Sequence, residues 1–283
     1  MNATVPSSCA DLRRPWPDLV DPATTALFLD IDGTLLDMAP TPSSVAIPTQ
    51  LIELLRQTHE VFNGAVAILT GRQIAEADNL LYPLRLVGSG VHGCEIRREN
   101  EGTIVSQPSS IDEDLLTALF ALVPAIPGVV IEPKGPGVAV HYRLAPLRRR
   151  EIESRVRGLV ADRTSKLVVS VGRMVIEIIP PGRSKGTALK TVLALPPFLG
   201  RTPVMIGDDV GDEPAFAIAA HCGGAGLKVA GEHFDRDVAD FGGPADVRAW
   251  LGKLIDRYSD QRCSRECSGI AECQSAARAT EAT

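Results

Sequence analysis

The chain has 283 residues, 45% of them apolar, and a formal charge of -6, enough for one large domain or two unequal ones with buried cores. The acidic balance argues against general affinity for nucleic acid. No apolar run approaches the roughly 20 residues that cross a bilayer, and the opening MNATVPSSCADLRRPWP lacks a secretory apolar core, so residues 1–22 are read as a mobile arm.

Strands and helices alternate in the first third. Residues 26–30 form an apolar strand, 48–59 a helix with Pro48 at its start, 65–69 a second strand, 73–81 a helix and 84–87 a third strand. This order predicts a parallel sheet covered on both faces, in a core of residues 23–107 and 182–258.

The middle changes character. Helices are expected at 111–122 and 148–162, with hairpins at 129–132/138–143 and 167–171/174–179. The αββαββ order marks an antiparallel α+β unit over residues 108–181, with Pro-rich joints at both ends. Alternation then resumes: a helix at 184–195 capped by Ser184, a strand at 203–206, a helix at 212–220, a strand at 226–229 and a last helix at 244–258.

Residues 259–283 are polar and aperiodic, a disordered tail by composition. Three of the six cysteines fall there, Cys263, Cys267 and Cys273. Their C-x3-C-x5-C spacing leaves a zinc site open, but lacks the usual pairing and fits free thiols better. Cysteine is too sparse for a disulfide scaffold, so a reducing cytoplasm is the expected setting.

The chemistry concentrates in four stretches. LFLDIDGTLL puts Asp30 and Asp32 two residues apart at a strand end, so both carboxylates can project one way beyond the sheet. Such a pair repels unless a cation or a proton intervenes. Mg2+, which favours hard oxygen ligands, suits it, although an acidic turn without metal stays open on this motif alone. AILTGR ends the second strand with Thr70, which either bonds a phosphate oxygen or caps the next helix. RSKG sets Lys185 in the first turn of a helix, where a cation is unfavourable without a nearby anion; a solvated lysine is the alternative. VMIGDDVGDEPAF crowds Asp208, Asp209, Asp212 and Glu213 after an apolar strand, either around a metal or as a solvated loop.

D-x-D-G-T, Thr, Lys and G-D-D-x-x-D, in that order, resemble the haloacid-dehalogenase (HAD) superfamily of phosphatases and phosphotransferases. The resemblance covers residues 26 to about 250 and implies an α/β fold: a HAD-like Rossmannoid core with an inserted α+β (αββαββ) cap domain. The strings GSGVHGCEIR, IEPKGPGVAVHYR and VIEIIPPGRSKGTAL resemble the trehalose-6-phosphate phosphatase family in particular. One departure is Gly211, where that family usually carries Thr.

The resemblance implies roles. Asp30 attacks phosphorus and Asp32 acts as general acid, then general base. Thr70 and Lys185 hold the phosphoryl group. Asp30, Asp208 and the Asp32 main-chain carbonyl bind Mg2+, while Asp209 and Asp212 orient waters or Lys185. Glu132, Lys134 and Glu177 bind the distal sugar. His92 and Gly93 contact sugar by resemblance too, a packed loop histidine being the alternative. Gly71, Arg72, His141 and Arg143 complete the expected substrate site, exposed strand charges being the alternative for the last two. A small sugar phosphate is the implied substrate, with functional coupling to a trehalose-6-phosphate synthase and no nucleic-acid or membrane partner. Competing readings are the same chemistry on sucrose 6-phosphate or mannosyl-3-phosphoglycerate, and a catalytically silent regulatory domain. The last is disfavoured because Asp30, Asp32, Lys185 and Asp208 are all present.

Overall fold

The computed structural model describes residues 16–39, 45–163, 166–172 and 174–258. Most of the expected arm, and the tail with Cys263, Cys267 and Cys273, lie outside the described residues. Within them Cys94 and Cys222 are free thiols, and no helix is long and apolar enough to cross a membrane.

A short helix α1 (Trp16–Leu19) leads into β1 (Thr25–Leu29), α2 (Leu51–Val61), β2 (Val66–Leu69), α3 (Ile74–Leu80), β3 (Gly88–Gly90), β4 (Glu95–Arg97) and β5 (Ile104–Ser106). The inserted unit follows: α4 (Glu113–Phe120), α5 (Leu122–Ala125), β6 (Val130–Pro133), β7 (Val138–His141), α6 (Arg149–Val160), β8 (Val168–Gly172) and β9 (Val175–Ile179). The chain then resumes with α7 (Lys185–Leu193), β10 (Thr202–Gly207), α8 (Glu213–His221), β11 (Ala225–Lys228) and a last helix, α9, over residues 244–258.

Seven strands form one sheet in the order β11-β10-β1-β2-β3-β4-β5. The first five run parallel, and β4 and β5 add an antiparallel edge. Alternate residues of its central strands enter two cores. Leu27, Leu29, Val66, Ile68, Val204 and Ile206 pack against α2 and α9. Ala26, Phe28, Ala67, Leu69 and Met205 pack against α7 and α8. Both faces are covered, as the near-continuous apolar strands require.

Two departures from the sequence reading have a physical cause. The third strand lies at Gly88–Gly90 rather than 84–87. Leu86 is apolar because it enters the core, not because its backbone pairs. The pairing residues are small because a Cβ at Gly88 would fall 2.6 Å from the Ile68 carbonyl oxygen. The β4–β5 hairpin escaped notice because its three-residue strands are too short to show a period, and buried Arg97 interrupts the apolar pattern by pairing with Asp78 at 2.6 Å.

The inserted unit is a four-stranded antiparallel sheet, β6-β7-β9-β8. Ile131, Val140 and Ile176 lie in register and face α4 and α6 with Leu115, Leu119, Ile152 and Val156. The period of two therefore turns the adjacent register row, Glu132, Ala139 and Glu177, to the opposite face. That face looks onto the larger sheet.

Candidate active site

Asp30, Thr70 and Asp208 each follow the last residue of a strand: β1, β2 and β10. These strands are neighbours, with β2 on one side of β1 and β10 on the other. Chain direction across the sheet thus reverses at β1, and the crevice beyond such a switch point collects the side chains at the strand ends. The Asp30–Leu36 turn closes by hydrogen bonds from the Leu35 and Leu36 N–H groups to the Ile31 carbonyl, at 2.8 and 2.9 Å. Gly33 sits in it at φ +80°, and a Cβ there would lie 2.1 Å from Asp208 Oδ2. Only glycine lets the first acidic loop approach the second so closely.

The α7 N-terminus aims the lysine. Ser184 Oγ accepts the Thr187 N–H at 3.1 Å, a cap that fixes the first turn. Lys185 Nζ then lies 2.7 Å from Asp30 Oδ1 and 2.7 Å from Asp212 Oδ1. The anions that a cation at a helix start requires are in place. Asp212 Oδ2 also accepts the N–H groups of Asp208 and Asp209, at 3.1 and 3.0 Å. Asp212, wholly buried, is therefore a brace that ties the acidic loop to Lys185.

Burial opposes the charged form of Asp30 and raises its pKa well above the ordinary value; Lys185 counteracts this, while Asp212 and Asp208 add to it. Burial likewise disfavours the Lys185 ammonium, but Asp212 and Asp30 outweigh it and hold its pKa above the usual lysine range. Asp30, Asp208 and Asp212 each present an oxygen within 4.8 Å of the others. Three buried carboxylates around one ammonium are short of positive charge when all are ionised. An all-oxygen donor set with that deficit fits a hard divalent cation. Because Asp212 already serves Lys185 and two N–H groups, Asp30 and Asp208 are the carboxylates suited to hold it.

Asp32 is placed differently. Its carboxylate is gripped by Arg72, outside the three-acid cluster, with Nε donating to Oδ2 at 2.6 Å and Nη2 to Oδ1 at 2.7 Å. Thr70, 1% exposed, accepts the Arg72 N–H at 3.1 Å, so the hydroxyl also shapes the loop that carries the arginine.

Cap residues meet the core directly. Lys134 Nζ donates to the Gly71 carbonyl at 2.9 Å and to Glu177 Oε1 at 3.3 Å, and lies 3.6 Å from Glu132. Glu177 also pairs with His92 of the core. Burial would raise the Glu177 pKa, but His92 and Lys134 overcome it and bring it down to about 2. Glu132 is held below its usual value against burial by His141, at 2.6 Å, and by Lys134. Arg143 donates to the Ala39 carbonyl at 3.1 Å, a second tie between cap and core.

One cleft of about 890 Å³ opens between the two sheets. It is lined by every site residue expected from sequence except Gly93 and Asp212. Gly93 packs against Ser184, where a Cβ would fall 2.8 Å from the carbonyl oxygen, so it serves the local turn. Asp209 caps the next turn by accepting the Val210 N–H at 2.8 Å. The sequence reading missed Glu76 and Asn79, which line the cleft from α3. The available signal was spacing: Glu76 follows Arg72 by four residues, and the two α3 residues lie i,i+3 on one helix face.

The trehalose-phosphatase family model matches residues 28–235, a span holding both the acidic cluster and the whole cap. The chain belongs to the trehalose-phosphatase family. It is accordingly a phosphoric monoester hydrolase. Among its relatives is a protein of Sinorhizobium fredii named "Probable trehalose-phosphate phosphatase", 41% identical over 72% of this chain and 77% of that one. The trehalose-6-phosphate phosphatase of Escherichia coli is 34% identical over 85% of this chain and 90% of its own. Among solved structures, the C-terminal domain of Candida albicans trehalose-6-phosphate phosphatase superposes with a TM-score of 0.72, covering 83% of this chain and 93% of that domain at 20% identity, a likeness of fold. The same fold extends to HAD-superfamily phosphatases at a TM-score of 0.50.

Proposed function

We propose that the chain hydrolyses trehalose 6-phosphate to trehalose and phosphate through an aspartyl-phosphate on Asp30, with Mg2+ as cofactor. The observation that carries this reading is the single cleft, in which Asp30, Lys185 and Asp208 form the floor while Glu132, Lys134 and Glu177 hang from the cap. Its volume of about 890 Å³ lies in the range of small-molecule sites and accommodates a disaccharide phosphate. Polar groups on the cap match a ligand rich in hydroxyls, and the named relatives act on this ester.

In the first step an Asp30 carboxylate oxygen bonds to phosphorus as the bond to the sugar oxygen breaks. Asp32 gives that oxygen its proton. Asp32 then takes a proton from water, which attacks phosphorus, releases phosphate and restores Asp30. Lys185 and Thr70 hold the phosphoryl oxygens through both steps, where positioning and charge carry most of the catalysis. Asp30, Asp208 and the Asp32 main-chain carbonyl would hold Mg2+, which would supply further neutralisation of phosphoryl charge. Added positive charge also favours the ionised Asp30 that the attack needs. The cap, residues 108–181, reads the sugar, and a synthase making trehalose 6-phosphate supplies the substrate.

The test is phosphate release from trehalose 6-phosphate, sucrose 6-phosphate and mannosyl-3-phosphoglycerate, with Mg2+ and with a chelator. Preference for the first, abolished by chelation and absent in Asp30→Asn, is expected. Equal turnover of all three, or appreciable turnover by Asp30→Asn, overturns the reading.

A further inference from the structure

The cleft is also bounded by α3 of the core and the start of β6 on the cap. Glu76 and Asn79 line it on the core side, and Val130 lies on the cap side. The Oε2 of Glu76 is shut off from solvent and accepts no hydrogen bond. A sealed carboxylate oxygen without a donor is costly, and a glutamine or alanine would avoid the charge. Nor is the local charge purely welcoming: burial and the Glu132 carboxylate oppose ionisation, while Lys134 and Arg72 favour it. The first turn of α3 and the Gln73 N–H do favour an acid here, but they leave Oε2 without a partner. What the inner oxygen lacks is a donor, and the residue lines the cleft within electrostatic reach of Glu132 and Lys134 on the cap. The terminal torsion of a glutamate is broad, so its carboxylate can turn that oxygen toward the open volume.

We propose that Glu76 is a specificity-determining residue that accepts a hydrogen bond from a hydroxyl of the substrate's distal sugar ring, completing from the core side a polar set otherwise supplied by the cap. This rests on the disaccharide-phosphate reading above. Glu76 holds the ring against the Glu132–Lys134 pair, and the contact exists only for a substrate long enough to reach it. A charge-assisted hydrogen bond of this kind is worth roughly ten- to hundredfold in kcat/KM.

The experiment compares Glu76→Gln and Glu76→Ala with the wild type on trehalose 6-phosphate and on 4-nitrophenyl phosphate, with thermal melts of each protein. The glutamine variant keeps the volume and guards against a failure to fold. The expected result is a fall of about tenfold or more in the ratio of the two kcat/KM values, chiefly through KM for the disaccharide phosphate, with unchanged melting. An unchanged ratio, whether activity falls on both substrates together or on neither, overturns the assignment and leaves Glu76 a residue of helix architecture. A wild type inactive on trehalose 6-phosphate but active on the aryl ester overturns the substrate reading and this inference with it. A wild type active on both, with the ratio unchanged in the variants, overturns this inference alone.

Discussion

Arg72 holds Asp32 in a two-pronged grip: Nε reaches Oδ2 at 2.6 Å and Nη2 reaches Oδ1 at 2.7 Å. The sequence pointed to Arg72 as a substrate ligand, and it does line the cleft, but its fork is spent on the residue assigned to proton transfer. Two parallel bonds fix the plane of a carboxylate as one cannot. They leave each Asp32 oxygen a further lone pair, free to carry the proton that the departing sugar oxygen receives and then to accept one from the attacking water.

Removing that grip is expected to depend on the leaving group. Arg72→Ala frees the Asp32 carboxylate to rotate, and kcat on trehalose 6-phosphate falls by roughly 10²-fold, the scale of general acid catalysis. With 4-nitrophenyl phosphate, whose leaving group departs without a proton, the fall is several-fold smaller. Arg72→Lys restores the charge but not the fork and recovers little. Steady-state kinetics on the two esters check this; equal losses on both would mean that Arg72 acts on the phosphoryl group instead.

The cap contacts lead to a second comparison. Glu132→Ala and Lys134→Ala each remove a polar partner from the sugar end of the cleft. Each is expected to cost roughly ten- to hundredfold in kcat/KM on trehalose 6-phosphate. Lys134 also donates to the Gly71 carbonyl, so beyond the sugar contact proposed for it, it ties the cap to the core. Glu132 pairs with His141 and Lys134, both of the cap. Glu132→Ala should therefore be the more selective variant and Lys134→Ala the one that also slows the aryl ester. Equal selectivity in both would remove the tethering role from Lys134.

Acid stability offers a third check. His92 and Lys134 lower the pKa of buried Glu177 from an ordinary 4.5 to about 2. For a depressed carboxylate the stabilisation is present above the unfolded value and is lost as pH falls through the folded one. The window is thus about pH 4.5 down to 2, and the shift corresponds to at most roughly 3 kcal/mol at neutral pH. Glu177→Gln should be less stable than wild type at pH 7, with the gap closing across that window. Denaturant melts at a series of pH values measure it; a gap independent of pH would assign the loss to packing.

Much of this was legible in the sequence because each feature has a local cause. Asp30, Thr70 and Asp208 announce themselves by ending apolar strands, and Lys185 by sitting where a cation is unwelcome. The cap hairpins show a period of two, which is why Glu132 and Glu177 come to share a face. What could not be read is what depends on approach between distant segments. The Asp32–Arg72 grip spans 40 residues. Glu76 looks like any solvated helix glutamate until the cap is laid over it. The strand at Gly88–Gly90 is short and glycine-rich because β2 passes so close, a tertiary demand that suppresses the apolar signature of a strand.

Gly211 stands where the family resemblance leads one to expect a threonine, and geometry decides what that means. Had the glycine been forced by crowding or by a left-handed backbone, a side chain there would be excluded. Neither holds. Its φ is not among the positive values, and a Cβ would meet only the His92 ring, at 3.5 and 3.7 Å, which is ordinary van der Waals contact. Contrast Gly33, where the same test gives 2.1 Å to Asp208. Gly211→Thr should therefore fold and keep kcat within about threefold, or gain slightly, because threonine adds a hydroxyl at the cleft wall and orders the unfolded glycine less expensively. Gly33→Ala should lose roughly 10²-fold or more, since the Asp208 carboxylate has to move to admit the methyl group. Kinetics and thermal melts of the two variants side by side are the measurement. A Gly211→Thr enzyme as damaged as Gly33→Ala would show that the space beside His92 is needed by the substrate, and that the missing hydroxyl is part of how this chain works.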